Sequence, residues 1–167
     1  ERAERDVVAH TFGTALPTFY LRYEQETLER EGKKVGRIHF TNWFVPMMKP
    51  IDAAVDQMRS YDGIIIDLRG NGGGLMSQAL QLTDKFLAGG KMIVETRGRT
   101  ALANEPVEST DRDTHPSMPM VVLVNRASAS ASEIVAGALQ DWDRALIVGE
   151  TTFGKALVQN QFQFRDG

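Results

Sequence analysis

The chain has 167 residues, 42% hydrophobic and 25% charged, with a formal net charge of −3, which suits one globular domain or one large lobe. So weak a charge gives no electrostatic reason to expect nucleic acid or an anionic membrane as partner, and no apolar run approaches the roughly 18–20 residues that span a bilayer. Cysteine is absent, which excludes disulfides, thiolate catalysis and Cys-ligated zinc.

The chain opens on Glu1-Arg2-Ala3-Glu4-Arg5, with neither an initiator methionine nor a signal-peptide pattern. Residues 17–24 and 36–43 are rich in aromatic and β-branched residues and read as strands. The charged stretch from Glu29 to Lys34 between them reads as a solvated turn. From Met47 to Ser60, Ile51, Ala54, Val55 and Met58 recur at helical spacing, with Pro50 expected in the first turn. Gly63 to Arg69 contains the apolar run Ile64-Ile65-Ile66, a buried-strand pattern that ends at Gly70-Asn71-Gly72-Gly73-Gly74. Leu75, Ala79, Leu80 and Leu87 carry the next helix.

A strand follows at Met92–Thr96, then a polar loop over about 99–117. Met120–Val124 is a second buried-strand run and leads into a helix from about Ser130 to Trp142. Ala145–Val148 and the alternating Val158–Phe164 complete the strands. The chain closes on Arg165-Asp166-Gly167, a turn signal that calls for a partner strand, so the expectation is a fragment of a longer protein. Alternating strands and helices predict an α/β fold with catalytic loops at the carboxyl ends of the strands.

Two segments carry chemistry. In the first, the strand before Asn125 runs into Arg126-Ala127-Ser128-Ala129-Ser130-Ala131-Ser132-Glu133 and then a helix. Small residues let a substrate backbone approach, and a helix N-terminus offers free N–H groups to a developing oxyanion. The same residues also read as a capping box, with Ser130 as cap and Glu133 as its reciprocal partner. Three alternating serines leave the choice of nucleophile open.

The second segment is Gly149-Glu150-Thr151-Thr152-Phe153-Gly154-Lys155-Ala156-Leu157-Val158-Gln159. A serine needs a base. The three histidines, His10, His39 and His115, lie in no triad motif, and no Gly-x-Ser-x-Gly elbow occurs. A lysine serves when desolvation disfavours its ammonium form, and Lys155 has Phe153, Ala156, Leu157 and Val158 as apolar neighbours in sequence. Gly149 to Lys155 also matches seven positions of a phosphate-binding loop, with Ile64-Ile65-Ile66-Asp67 as a magnesium-holding strand. Against that nucleotide-binding alternative, Ala156 stands where the loop needs a hydroxyl, and the Asp-bearing strand comes first instead of second.

Asp67-Leu68-Arg69-Gly70-Asn71-Gly72-Gly73-Gly74, the Asn125–Ile134 segment, and Thr152-Phe153-Gly154-Lys155 with Gln159 resemble the three motifs of the C-terminal processing (tail-specific) peptidases, in order and in register from about Gly36 to Gln159. The resemblance implies a Ser–Lys peptidase with Ser130 as nucleophile, Lys155 as base and Gln159 orienting the lysine. The oxyanion donors would be the N–H groups of Ala131 and Gly74, with Asp141 and Arg144 as a supporting pair. It implies a core of ββα units like those of ClpP and crotonase, and no metal or cofactor. It also implies substrates with unstructured protein C-termini, and a periplasmic or otherwise exported location.

The chain departs from the family pattern at Ala127, Gly72 and Ala156-Leu157. Residues 1–35 are expected to lead into the core after a PDZ domain that this sequence lacks. Residues 36–167 would then be the catalytic core, truncated at its C-terminal end. An open strand edge leaves room for a homo-oligomer. The rival to an active enzyme is an inactive peptide-binding or scaffold relative.

Overall fold

A computed structural model describes residues 22–99, 104–110 and 117–159. Along the described chain run β1 (Tyr23–Arg30), β2 (Lys33–Phe40), α1 (Val45–Gln57) with a 3-10 turn at Met58–Ser60, β3 (Gly63–Asp67), α2 (Met76–Asp84), β4 (Met92–Thr96), β5 (Glu105–Glu108), β6 (Met120–Val124), α3 (Ala131–Asp141) and β7 (Leu146–Gly149). The main sheet has the order β1-β2-β3-β6-β7, while β4 and β5 form a separate antiparallel pair. β1 and β2 are an antiparallel hairpin, and every later pairing in the main sheet is parallel. Among the described residues the fold is therefore α/β, with β2, α1 and β3 forming the expected strand–helix–strand crossover.

Strand alternation decides which face the helices cover. Ile38 and Phe40 of β2, Ile64 and Ile66 of β3, and Met120, Val122 and Val124 of β6 are buried in one cluster with Ile51 and Val55 of α1, Leu82 of α2, and Val135 and Leu139 of α3. Trp43, fully buried, meets Phe40 edge to face with ring centroids 4.7 Å apart. The opposite face carries Arg37, His39 and Asp67. β7, at one edge, exposes Leu146 and Val148.

Several elements differ from their sequence reading. β1 runs through the charged stretch, and the turn shrinks to Glu31 and Gly32, at φ 54° and 75°; this is the two-residue hairpin geometry that matches strand twist. An edge strand needs few apolar residues, so its charges disguised it. The part of the expected first strand before residue 22 lies outside the described residues. Helix α1 opens at Val45, which puts Pro50 inside the helix instead of in its first turn. β5 lies in what reads as polar loop, formed by pairing with β4. Of the expected Val158–Phe164 strand, Val158 and Gln159 have no regular structure, and the rest lies outside the described residues.

At the carboxyl end of β3, Asp67 is fully buried between two guanidinium groups. Arg37 reaches it through Nε and Nη2 (3.0 and 2.6 Å) and Arg69 through Nε and Nη2 (2.8 and 2.6 Å). Arg37 also binds Glu26 across the β1–β2 ladder at 3.0 Å. Burial on its own would raise the Asp67 carboxyl; the hydrogen bonds from Arg69 and Arg37 outweigh it and bring the pKa from 3.8 down to about 2.

A depressed folded-state pKa stabilises above the unfolded value, and that stability disappears as pH falls through the folded one. For Asp67 the contribution is about 2 kcal/mol, fully present above roughly pH 4 and lost towards pH 2. Urea unfolding from pH 5 to pH 2 should therefore show an acid-limb loss of that size. Asp67→Asn should be less stable at neutral pH, with a flatter slope between pH 4 and pH 2.

Candidate active site

Three serines crowd the entry to α3, and their surroundings separate them. Ser128 is fully buried; its Oγ donates to the Leu68 carbonyl (2.8 Å) and accepts the Asn125 N–H (3.0 Å). Ser132 is also fully buried; its Oγ donates to the Asn71 carbonyl (3.1 Å) and accepts the Trp43 indole N–H (2.9 Å). Only Ser130 is partly exposed. Its backbone sits at φ 56°, ψ −114°, whereas an ordinary N-cap residue lies in the β region. A side-chain-bearing residue held there costs of order 1–3 kcal/mol and marks a position fixed by its surroundings. The cap works through the backbone: the N–H groups of Glu133 and Ile134 donate to the Ser130 carbonyl at 2.8 and 3.1 Å.

The glycine run packs against this turn. A Cβ on Gly73 would stand 2.9 Å from Ser130 Cβ and 3.3 Å from the Ala131 nitrogen, so any side chain there would push the run away from the serine. Gly74 pairs with Trp43 in a parallel bridge at φ 142°, a conformation open to glycine and little else. The Gly73 N–H is engaged by Asn71 Oδ1 at 3.0 Å. Among the described residues, the N–H groups of Gly74 and Ala131 have no hydrogen-bond partner.

Residues 150–159, which follow β7, have no regular secondary structure. One side chain organises them. Glu133 Oε1 accepts the Thr152 hydroxyl (2.7 Å) and the Gly154 N–H (2.6 Å), while Oε2 accepts the N–H groups of Lys155 (2.9 Å) and Ser130 (2.7 Å). Ser130 and Lys155 thus hang from the same oxygen. The Phe153 N–H adds a bond to the Ser128 carbonyl at 3.0 Å. Burial pushes the Glu133 carboxyl up, but the Thr152 hydroxyl and the three N–H donors hold it below the ordinary glutamate value.

The lysine side chain departs from expectation. Its Nζ donates to Gln159 Oε1 at 3.2 Å and makes no hydrogen bond to Ser130. Phe153, Leu157 and Val158 are 69%, 71% and 56% exposed, so apolar neighbours in sequence do not bury it. The phosphate-loop alternative fails on geometry as well: the Gly154 and Lys155 N–H groups face an internal carboxylate, and residues 156–159 are not helical.

Peptidase family S41 matches residues 34–167. The chain belongs to that family. It is 36% identical over 141 residues to the carboxy-terminal processing protease CtpA of Bacillus subtilis, covering 83% of this chain and 30% of that protein. It is 39% identical over 143 residues to a carboxyl-terminal-processing protease of Synechocystis, covering 83% and 32%. Among solved structures it resembles the photosystem II D1 C-terminal processing protease, with a TM-score of 0.72 and 31% identity over 80% of this chain and 35% of that one. The chain thus spans about a third of the length of these S41 relatives.

Within this S41 chain Gly73 packs against Ser130 and Ala131, the Ser130 and Lys155 backbones share the Glu133 carboxylate, and Gln159 stays beside the lysine. Asp141 and Arg144 lie at the far end of α3. There Arg144 donates to the Phe86 and Met118 carbonyls, each at 2.9 Å. Sequence reading missed the reach of Glu133, because a capping box accounts only for its bond to Ser130. It also gave no role to Asn71, though that residue lies within the first motif, or to Trp43.

Glu133→Ala should release residues 151–155. Amide exchange at Gly154 and Lys155 should rise at least tenfold, and stability should fall by about 1–3 kcal/mol. Because the carboxyl lies below its usual value, the clamp is intact at neutral pH and weakens as pH falls through that lowered value.

Proposed function

We propose that this chain is the core of a serine endopeptidase that hydrolyses peptide bonds near protein C-termini through an acyl-enzyme. The observation that carries the reading is the strained Ser130 at the head of α3, followed by the unpaired N–H of Ala131 and packed against Gly73, whose neighbour Gly74 also has an unpaired N–H. Ser130 Oγ attacks the scissile carbonyl, and Lys155, oriented by Gln159, takes its proton. The two N–H groups receive the oxyanion. As the tetrahedral intermediate collapses, the lysine returns the proton to the leaving amine. Water then repeats the sequence on the ester, releasing the new C-terminus and restoring the serine.

The Lys155 amine points to Gln159. Catalytic hydrogen bonds are commonly loose before substrate binds, and both backbones are already fixed on Glu133. The mechanism requires the Lys155 amine to turn from Gln159 to Ser130. Substrate choice follows the carboxy-terminal processing named in the relatives. A chloroplastic relative at 36% identity supports a place outside the cytosol.

A fluorophosphonate probe followed by peptide mapping should label Ser130. With a flexible quenched-fluorescence peptide, Ser130→Ala should lose at least about 10⁴-fold in kcat, and Lys155→Ala about 10²- to 10⁴-fold. Ser128→Ala should retain most turnover with reduced stability. Labelling at another residue would overturn the assignment; an unreactive Ser130 would favour the inactive scaffold.

A further inference from the structure

We propose that Asn71 is the positioning residue of the oxyanion hole, setting the gap between the Gly74 and Ala131 N–H groups. The inference rests on the peptidase reading above and goes beyond it. Those two donors come from segments far apart in sequence, and neither has a hydrogen bond that holds it in place. A hole of preorganised donors works only if their spacing is fixed before the charge develops, so something else must join the segments.

Asn71 does so with every polar group it has. Its side chain is fully buried, with Oδ1 accepting the Gly73 N–H and Nδ2 donating to the Phe40 carbonyl, both at 3.0 Å. Its carbonyl accepts the Ala129 N–H at 3.0 Å and the Ser132 hydroxyl at 3.1 Å, one residue before and two after Ser130. Its own N–H closes the turn onto the Leu68 carbonyl at 3.0 Å. One amide residue therefore ties the end of β2, the glycine run and both flanks of the nucleophile.

Ser132 and Trp43 complete a ring. The Trp43 indole donates to Ser132 Oγ at 2.9 Å, while the Trp43 backbone donates to the Gly73 carbonyl (3.1 Å) and accepts the Leu75 N–H (2.8 Å). The glycine run is thus held on one side by Asn71 and on the other by the Trp43 backbone, and Ser132 joins the two. Gly73 leaves no slack, since even a Cβ would collide with Ser130. The oxygen of Asn71 also engages the Gly73 N–H, leaving the next one, on Gly74, to face the substrate. Removing that acceptor frees Gly73 to compete and lets the run drift.

The test separates positioning from general stability. In the full chain, Asn71→Ala should lower kcat about 10²- to 10³-fold with KM changed less than about threefold. Affinity for a peptide boronic acid, which forms a tetrahedral adduct on the serine, should fall by the same factor as kcat/KM. Affinity for an uncleaved product peptide should stay unchanged, which a loss of folded protein could not produce. Should Asn71→Ala fail to fold, Ser132→Ala decides the matter, with an expected loss of about tenfold in kcat at constant KM. Full kcat in a folded variant, or equal losses in boronate and product affinity, would overturn the proposal. If Ser130 in the unaltered chain neither labels with a fluorophosphonate nor turns over peptide, the peptidase reading itself falls and takes this inference with it. A labelled, active chain beside indifferent variants would sink this inference alone.

Discussion

The site depends on a single carboxylate. Without Glu133, the segment after β7 is tied down by the Glu150 and Phe153 N–H groups; with it, three further donors of that loop share an anchor with the Ser130 N–H. A half-buried anion bound by four donors is stable because each hydrogen bond favours its charged form. The arrangement is economical in sequence. Glu133 lies in the first turn of α3, where a negative charge also suits the helix dipole, so cap, dipole partner and loop anchor are one residue.

The sheet supplies the other half of the geometry. Parallel pairing of β3, β6 and β7 brings three carboxyl ends side by side, and from them come the glycine run, the serine turn and the lysine segment. Fold and site are therefore one problem, since loops at the carboxyl ends of parallel strands converge whatever their sequences. On the far face, the Asp67 cluster joins β1, β2 and β3 by charge instead of apolar contact. It braces the stem from which the glycine run departs.

Much of this was legible in the residues. β3 and β6 are apolar runs too rich in β-branched side chains to be ambiguous, and α3 announces itself through spacing and cap. β1 was misplaced because solvent on an edge strand permits charge, and β5 was invisible because only its partner strand makes it a strand. Family resemblance alone picks Ser130 among three serines as the proposed nucleophile; the structure adds that Ser128 and Ser132 are fully buried and hydrogen-bonded. The full role of Glu133 and that of Asn71 rest on bonds to residues 19 to 61 positions away, a scale on which local patterns are silent. Lys155 shows the opposite error, in which apolar neighbours along the chain suggested a shelter that they do not form in space.

The positive φ of Ser130 sets stability and chemistry against each other at one atom's distance. Alanine is as uncomfortable as serine in that conformation, so deleting the hydroxyl leaves the backbone tension in place. Glycine would relieve it. The most stable residue for this turn is thus one that cannot perform the proposed acyl transfer, and the difference in folding free energy between the glycine and alanine versions reads the tension beneath the proposed nucleophile. Selection for thermal robustness alone would erode this position first.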